Sequence, residues 1–143
     1  MHWRDIVVLG SALVLLASCS GAPASEASAM NLPQSGAGVM TLPPSVNISK
    51  AAALRDAGAF MLDVREPFEY AEYHMPGAVL IPLGELTGRL NEVPKDRPVV
   101  VVCRSGNRSQ VGRNILKQAG FTAVTSMDGG MRAWRNAGLP VTQ

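Results

Sequence analysis

A chain of 143 residues, 47% of them hydrophobic, has room for one core and not for two. Its 13 Lys and Arg against 11 Asp and Glu leave a net charge of +2, a balance that gives no basis for nucleic-acid binding. Glycine (14) and proline (10) each outnumber the aromatic residues, which suits an α/β domain with tight turns better than a coiled coil or a disordered chain.

Residues 1–18 have the pattern of an export signal. Arg4 precedes an apolar run from Ile6 to Ala17 that is too short to span a bilayer comfortably, and small residues follow. Asp5 lowers the charge of this n-region without removing the pattern. The segment Leu16-Ala17-Ser18-Cys19 resembles the lipobox of bacterial lipoproteins, which implies cleavage before Cys19, lipidation of Cys19 and a membrane anchor. An ordinary secretory signal with an incidental cysteine is the alternative. Residues 19–45 are mostly Ser, Ala, Gly and Pro, too poor in large apolar groups to offset the entropy of ordering, and read as a flexible tether. By resemblance to lipoprotein sorting, Ser20 after the cysteine points to the outer membrane. The mature chain is expected on the periplasmic face.

The folded domain is expected over residues 46–143. Ser49 is placed to cap a helix running to Ala57, and Ala59 to Val64 reads as a strand ending on Asp63 and Arg65. Pro67 suits the first turn of a second helix. A strand at Ala78–Leu83 and a short helix at Glu85–Asn91 follow. Val99–Val102 has the composition of a strand buried on both faces. Asn107–Ala119 reads as a helix with Val111, Ile115 and Ala119 on one side, Ala123–Ser126 as a last strand and Gly130–Ala137 as a last helix. Three of the helices stop at Ala-Gly pairs. Such alternation predicts an α/β fold, a mostly parallel sheet with helices on both faces. Ligands of such sheets bind beyond the strand C-termini, where Cys103 and the segment Asp63 to Glu66 both fall.

The chemistry concentrates in Cys103-Arg104-Ser105-Gly106-Asn107-Arg108-Ser109, between a buried strand and a helix. A cysteine in that place is not set for core packing. Gly106 lets the chain turn so that backbone N–H groups and the helix N-terminus point at one anion, and two arginines add positive charge. These effects favour thiolate over thiol and mark Cys103 as a nucleophile. Cys103 and Arg108 are separated by four residues. With Cys19 lipidated, Cys103 would be a lone thiol in an exported protein, although a Cys19–Cys103 disulfide is the competing arrangement. The lack of a Cys-x-x-Cys pair argues against a dithiol cycle within the chain. No metal-ligand spacing is present, so neither metal nor cofactor is implied.

The loop resembles the active-site loop of rhodaneses, and three further pieces agree in order. Asp63-Val64-Arg65-Glu66 resembles the family's first signature, His74-Met75-Pro76-Gly77-Ala78 its second, and Gly129-Gly130 with Trp134 its closing one. The resemblance covers Val46 to Gln143. It implies a single-domain thiosulfate sulfurtransferase in which the Cys103 thiolate takes sulfur from a small anionic donor and passes it to a thiol, cyanide or a small redox protein. Arg104, Ser105, Gly106, Asn107 and Arg108 would bind the donor, with Arg108 facing the pocket and Arg104 at its rim. Asp63 and Arg65 are expected to be scaffold, Arg65 pairing with a carboxylate such as that of Glu69. His74 is expected to anchor a turn and Trp134 to pack. Three other readings stay open: a non-catalytic sulfur carrier or partner-binding module, a phosphatase or arsenate reductase, and a thiol–disulfide partner of redox proteins.

Overall fold

The computed structural model describes residues 40–143; Cys19, the export signal and most of the tether lie outside the described residues. The elements in chain order are β1 (Ser45–Val46), α1 (Ile48–Asp56), β2 (Phe60–Asp63), α2 (Pro67–Glu72), β3 (Val79–Leu80), β4 (Val99–Val102), α3 (Asn107–Gln118), β5 (Val124–Met127) and α4 (Gly130–Asn136). The five strands form one parallel sheet in the order β1-β5-β4-β2-β3. The α/β class and parallel sheet are those expected.

Local chemistry accounts for most of the boundaries. The Asn47 side chain, not Ser49, caps α1 by accepting the Lys50 N–H at 2.9 Å, because Asn47 keeps an extended backbone while Ser49 is already inside the helix. Pro67 opens α2, and Glu66 and Glu69 close a capping box around it. The Ala-Gly pairs end α1, α3 and α4 as expected, each Ala at the C-cap and each Gly at positive φ. The expected helix at Glu85–Asn91 is instead two single 3-10 turns, Leu86–Gly88 and Leu90–Glu92. Gly88 interrupts a segment too short to propagate an α-helix.

The all-valine strand β4 divides the core. Val99 and Val101 face a cluster with Leu62, Leu116 and Phe121, while Val100 and Val102 face another with Met61, Met131 and Trp134. Helix α3 covers the first face; α1, α2 and α4 contribute to the second. Of the expected apolar side of α3, Ile115 and Ala119 pack against the core, but Val111 is 50% exposed, and the fully buried positions are Ser109, Gly112 and Leu116. Gly112 explains the difference. A Cβ there would stand 3.1 Å from Val101 and 3.3 Å from Val64, so the helix approaches the sheet along its smallest residue.

Candidate active site

Cys103 directly follows β4, and Asp63, the last residue of β2, is in register with Val102. The two chemistry-bearing segments therefore share the C-terminal edge of the sheet. Between Cys103 and α3 the chain turns at Gly106, whose φ is 104°. This turn brings the Gly106 N–H to 3.1 Å from Cys103 Sγ. The thiol also points at Ser109 Oγ, 3.6 Å away. Ser109 Oγ donates to Gly106 O at 2.8 Å and lies 2.8 Å from Ser126 Oγ on β5. A buried hydroxyl pair thus holds the underside of the loop; the sequence analysis places Ser109 in the loop segment without a role and gives Ser126 none. A serine in the first turn of a helix that opens on a cysteine loop was the available signal for Ser109; Ser126 had none.

The expectation that such a cysteine stands clear of the core is not met. Cys103 is a free thiol, fully buried, and belongs to the cluster of Val99 and Val101. Strand alternation continues one residue beyond β4 and turns position 103 onto the same face. Arg104, Ser105 and Asn107 are exposed above it.

Helix α4 fixes the loop from its other side. The Met131 and Arg132 N–H groups donate to the carbonyls of Cys103 (2.8 Å) and Arg104 (3.1 Å). This contact depends on Gly130, where a Cβ would fall 2.3 Å from Cys103 O and 2.6 Å from Ser105 N. Gly130 thus admits the close approach of α4 to the loop, while a Cβ at Gly129 would meet Ala133 of α4 itself.

Asp63 and Arg65 form a buried brace at the edge of the sheet. Asp63 Oδ1 accepts the Arg65 backbone N–H at 3.0 Å, and its carboxylate takes Nε and Nη2 of the guanidinium at 2.6–3.0 Å. The remaining Arg65 donors reach the carbonyl oxygens of Glu69 and Tyr73. Arg65 therefore does not pair with the Glu69 carboxylate; its own neighbour two residues back supplies the counter-charge.

The Glu69 carboxylate is taken by Arg108. Their two bonds of 2.7 and 2.8 Å join α2 to the first turn of α3. The Arg108 hydrogen bond holds the Glu69 carboxyl below its ordinary range, against burial, which pushes it up. Glu69 in turn raises Arg108, with a smaller contribution from Cys103. Arg108 is thus paired with a carboxylate of α2, a partner that the sequence reading did not assign to it. Arg104 makes no ion pair among the described residues and lines a pocket beside the loop.

His74 is bound to structure. Its Nδ1 lies 2.9 Å from Tyr70 O, its ring stacks on Tyr70, and its backbone pairs with Thr142. Trp134 is fully buried, with Nε1–H donating to Pro140 O at 2.9 Å.

The fold is thus a parallel α/β sheet with a cysteine loop at its C-terminal edge and a helix opening on two glycines packed against that loop. The rhodanese-like domain family matches residues 47–137, and the chain belongs to that family. The chain is 40% identical over 86 residues to the thiosulfate sulfurtransferase GlpE of Pseudomonas syringae pv. syringae, covering 60% of this chain and 81% of that protein. It is 42% identical over 79 residues to YrkF of Bacillus subtilis, named as a sulfur carrier protein; the match covers 55% of this chain but only 43% of YrkF. Among solved structures, a rhodanese-related protein from Thermoplasma volcanium superposes with a TM-score of 0.65 at 31% identity, covering 70% of this chain and 98% of that one.

Proposed function

We propose that the protein is a sulfurtransferase that carries sulfane sulfur on Cys103 as a persulfide. The observation that carries this reading is the setting of Cys103 Sγ, which accepts the Gly106 N–H in a loop between a strand end and the start of α3. A thiolate there is met by a backbone donor and by the positive end of α3. It attacks the outer sulfur of thiosulfate; the S–S bond breaks and sulfite leaves with the bonding electrons. A thiol or cyanide then attacks the outer sulfur of the persulfide, and the Cys103 thiolate is released. Two half-reactions of this kind give ping-pong kinetics. The names of the GlpE relatives support thiosulfate as donor.

Intact mass after incubation with thiosulfate tests the reading. One added sulfur is expected on the wild type and none on Cys103→Ser, with the fold retained; a wild type that takes up no sulfur overturns it. The burial of Cys103 and the likeness to YrkF favour a second reading, a sulfur carrier that is loaded and unloaded by partners. Turnover with thiosulfate and cyanide separates the two. Phosphate-ester hydrolysis is disfavoured. The loop has one residue fewer between cysteine and arginine than phosphatases of similar fold, and its Arg108 is occupied by Glu69. No release of phenol from an aryl phosphate is expected.

The proposal extends to location: export, and anchoring through a lipid on Cys19, supported by the residues Leu16 to Cys19. No helix of the described residues is long and apolar enough to cross a membrane. Incorporation of labelled palmitate that Cys19→Ala abolishes is the expected result. A soluble mature protein cut well after Cys19 would support plain secretion instead.

A further inference from the structure

Three arginines beside the loop join no ion pair among the described residues: Arg104, next to the proposed nucleophile, and Arg132 and Arg135, three residues apart on α4. With Phe68, Glu72 and Tyr73 they line a pocket of about 200 Å³. The other charges in its wall are matched, Arg65 by Asp63 and Glu69 by Arg108, so three guanidinium groups face one unpaired carboxylate, Glu72. Arg135 lies 5.0 Å from the centroid of the Tyr73 ring, which steadies it. Phe68 is 74% exposed.

A single exposed phenylalanine means little, and exposed arginines are commonly just solvated. Their convergence on one pocket beside a nucleophile's loop is a different matter, since aromatic and arginine side chains are the usual anchors of protein interfaces. The surface also continues past the loop. A second depression of about 620 Å³ shares Glu72, Tyr73 and Arg135 and extends to Val141 and Thr142. A small sulfur anion requires neither that extent nor an aromatic anchor.

We propose that this surface docks an acidic segment of the protein that bears the acceptor thiol. The inference rests on the reading of Cys103 as a sulfur donor. An apolar residue of the partner covers Phe68, and its carboxylates meet Arg104, Arg132 and Arg135. The partner's thiolate then attacks the outer sulfur of the Cys103 persulfide, forms a new S–S bond on the partner and releases the Cys103 thiolate. Charge complementarity of this kind acts mainly on the encounter rate and on the choice of partner.

Binding and transfer are tested separately. The binding probe is a fluorescein-labelled peptide with a leucine and a serine, in place of the reactive cysteine, flanked by glutamates; a control peptide carries lysines instead. Anisotropy should give at least about tenfold tighter binding of the acidic peptide, weakening as salt is added. The preference should disappear in Arg132→Glu/Arg135→Glu and weaken in Phe68→Ser. With the cysteine peptide and persulfidated protein, Phe68→Ser should slow transfer while leaving transfer to cyanide within about twofold of wild type. Equal binding of both peptides overturns the proposal. So does an Arg132→Glu/Arg135→Glu variant that raises the KM for thiosulfate while binding the acidic peptide normally, or a protein that binds phosphatidylglycerol vesicles and not the peptide. A wild type that forms no persulfide defeats the sulfur-donor reading, whereas the serine peptide reports on the surface alone.

Discussion

Arg104 and Arg108 belong to one short loop, yet the two sides of that loop treat them oppositely. On the side facing α2, Arg108 is held by Glu69 through two hydrogen bonds and its charge is cancelled. Arg104, by contrast, makes no ion pair among the described residues; it lines a pocket with Arg132, Arg135, Phe68, Tyr73 and Glu72, and the Glu69 carboxylate there is already taken by Arg108. Closeness in sequence to a nucleophile does not by itself make a charge available to a substrate. A cation matched by a buried carboxylate braces the fold, and only an unmatched one draws anions.

The largest effect is expected at the most buried charge pair. Removing the carboxylate in Asp63→Ala leaves the Arg65 guanidinium buried without a counter-charge, and a loss of about 3–5 kcal/mol is expected from denaturant unfolding. A loss near zero would mean that Arg65 escapes to solvent and that the brace is dispensable.

Next in size is Glu69→Gln, which removes the partner of Arg108 and is expected to destabilise by about 1–2 kcal/mol, since Arg108 is partly exposed. Its pH dependence has a defined sign. The folded carboxyl is held below its ordinary value of 4.5, chiefly by Arg108, so the folded state favours the ionised form. The stabilisation is therefore complete above that value and is lost as the pH falls through the lowered pKa. The difference in Tm between wild type and Glu69→Gln should be steady from about pH 5 upward and close in more acid solution. A difference that grows on acidification would contradict the pairing.

Arg104→Ala should leave Tm unchanged and raise the KM for thiosulfate about threefold to tenfold with little change in kcat, the mark of lost anion attraction. Should Arg108→Ala raise KM more than Arg104→Ala without loss of stability, the contrast between the two sides of the loop would be reversed. The smallest effect is expected at Arg89, whose bonds to Glu85 and Glu92 measure 2.7–2.8 Å, as short as those of Arg108. These groups are exposed, so Arg89→Ala should not move Tm measurably. Burial of the carboxylate, rather than bond length, separates the two cases: Glu69 is 9% exposed against 57% and 43% for Glu85 and Glu92, while the two arginines are similarly exposed.

Much of the architecture was legible because it depends on near neighbours. Runs such as Val99–Val102 and the Ala-Gly stops report strand burial and helix termination within a few residues, and they marked the C-terminal strand edge where Cys103 lies. Errors arose where two local signals competed or a distant surface intervened. Asn47 and Ser49 are both good caps two residues apart, and the backbone chose the first. On α3 the hydrophobic pattern pointed to Val111, but the sheet required its closest approach at Gly112.

By itself the sequence determined the alternation of strands and helices, the loop from Cys103 to Arg108 and its place after a buried strand. Those features follow from side-chain period, capping and turn chemistry, which act over short spans of chain. The tertiary structure alone decided that Cys103 is buried, that Ser126 meets Ser109, that Gly130 admits α4 against the loop, and that Glu69 answers Arg108 from 39 residues away. Spacing along the chain carries no record of which charges meet across a crossover. That pairing is set by where helices land on the sheet, and here it determines which arginine is left free.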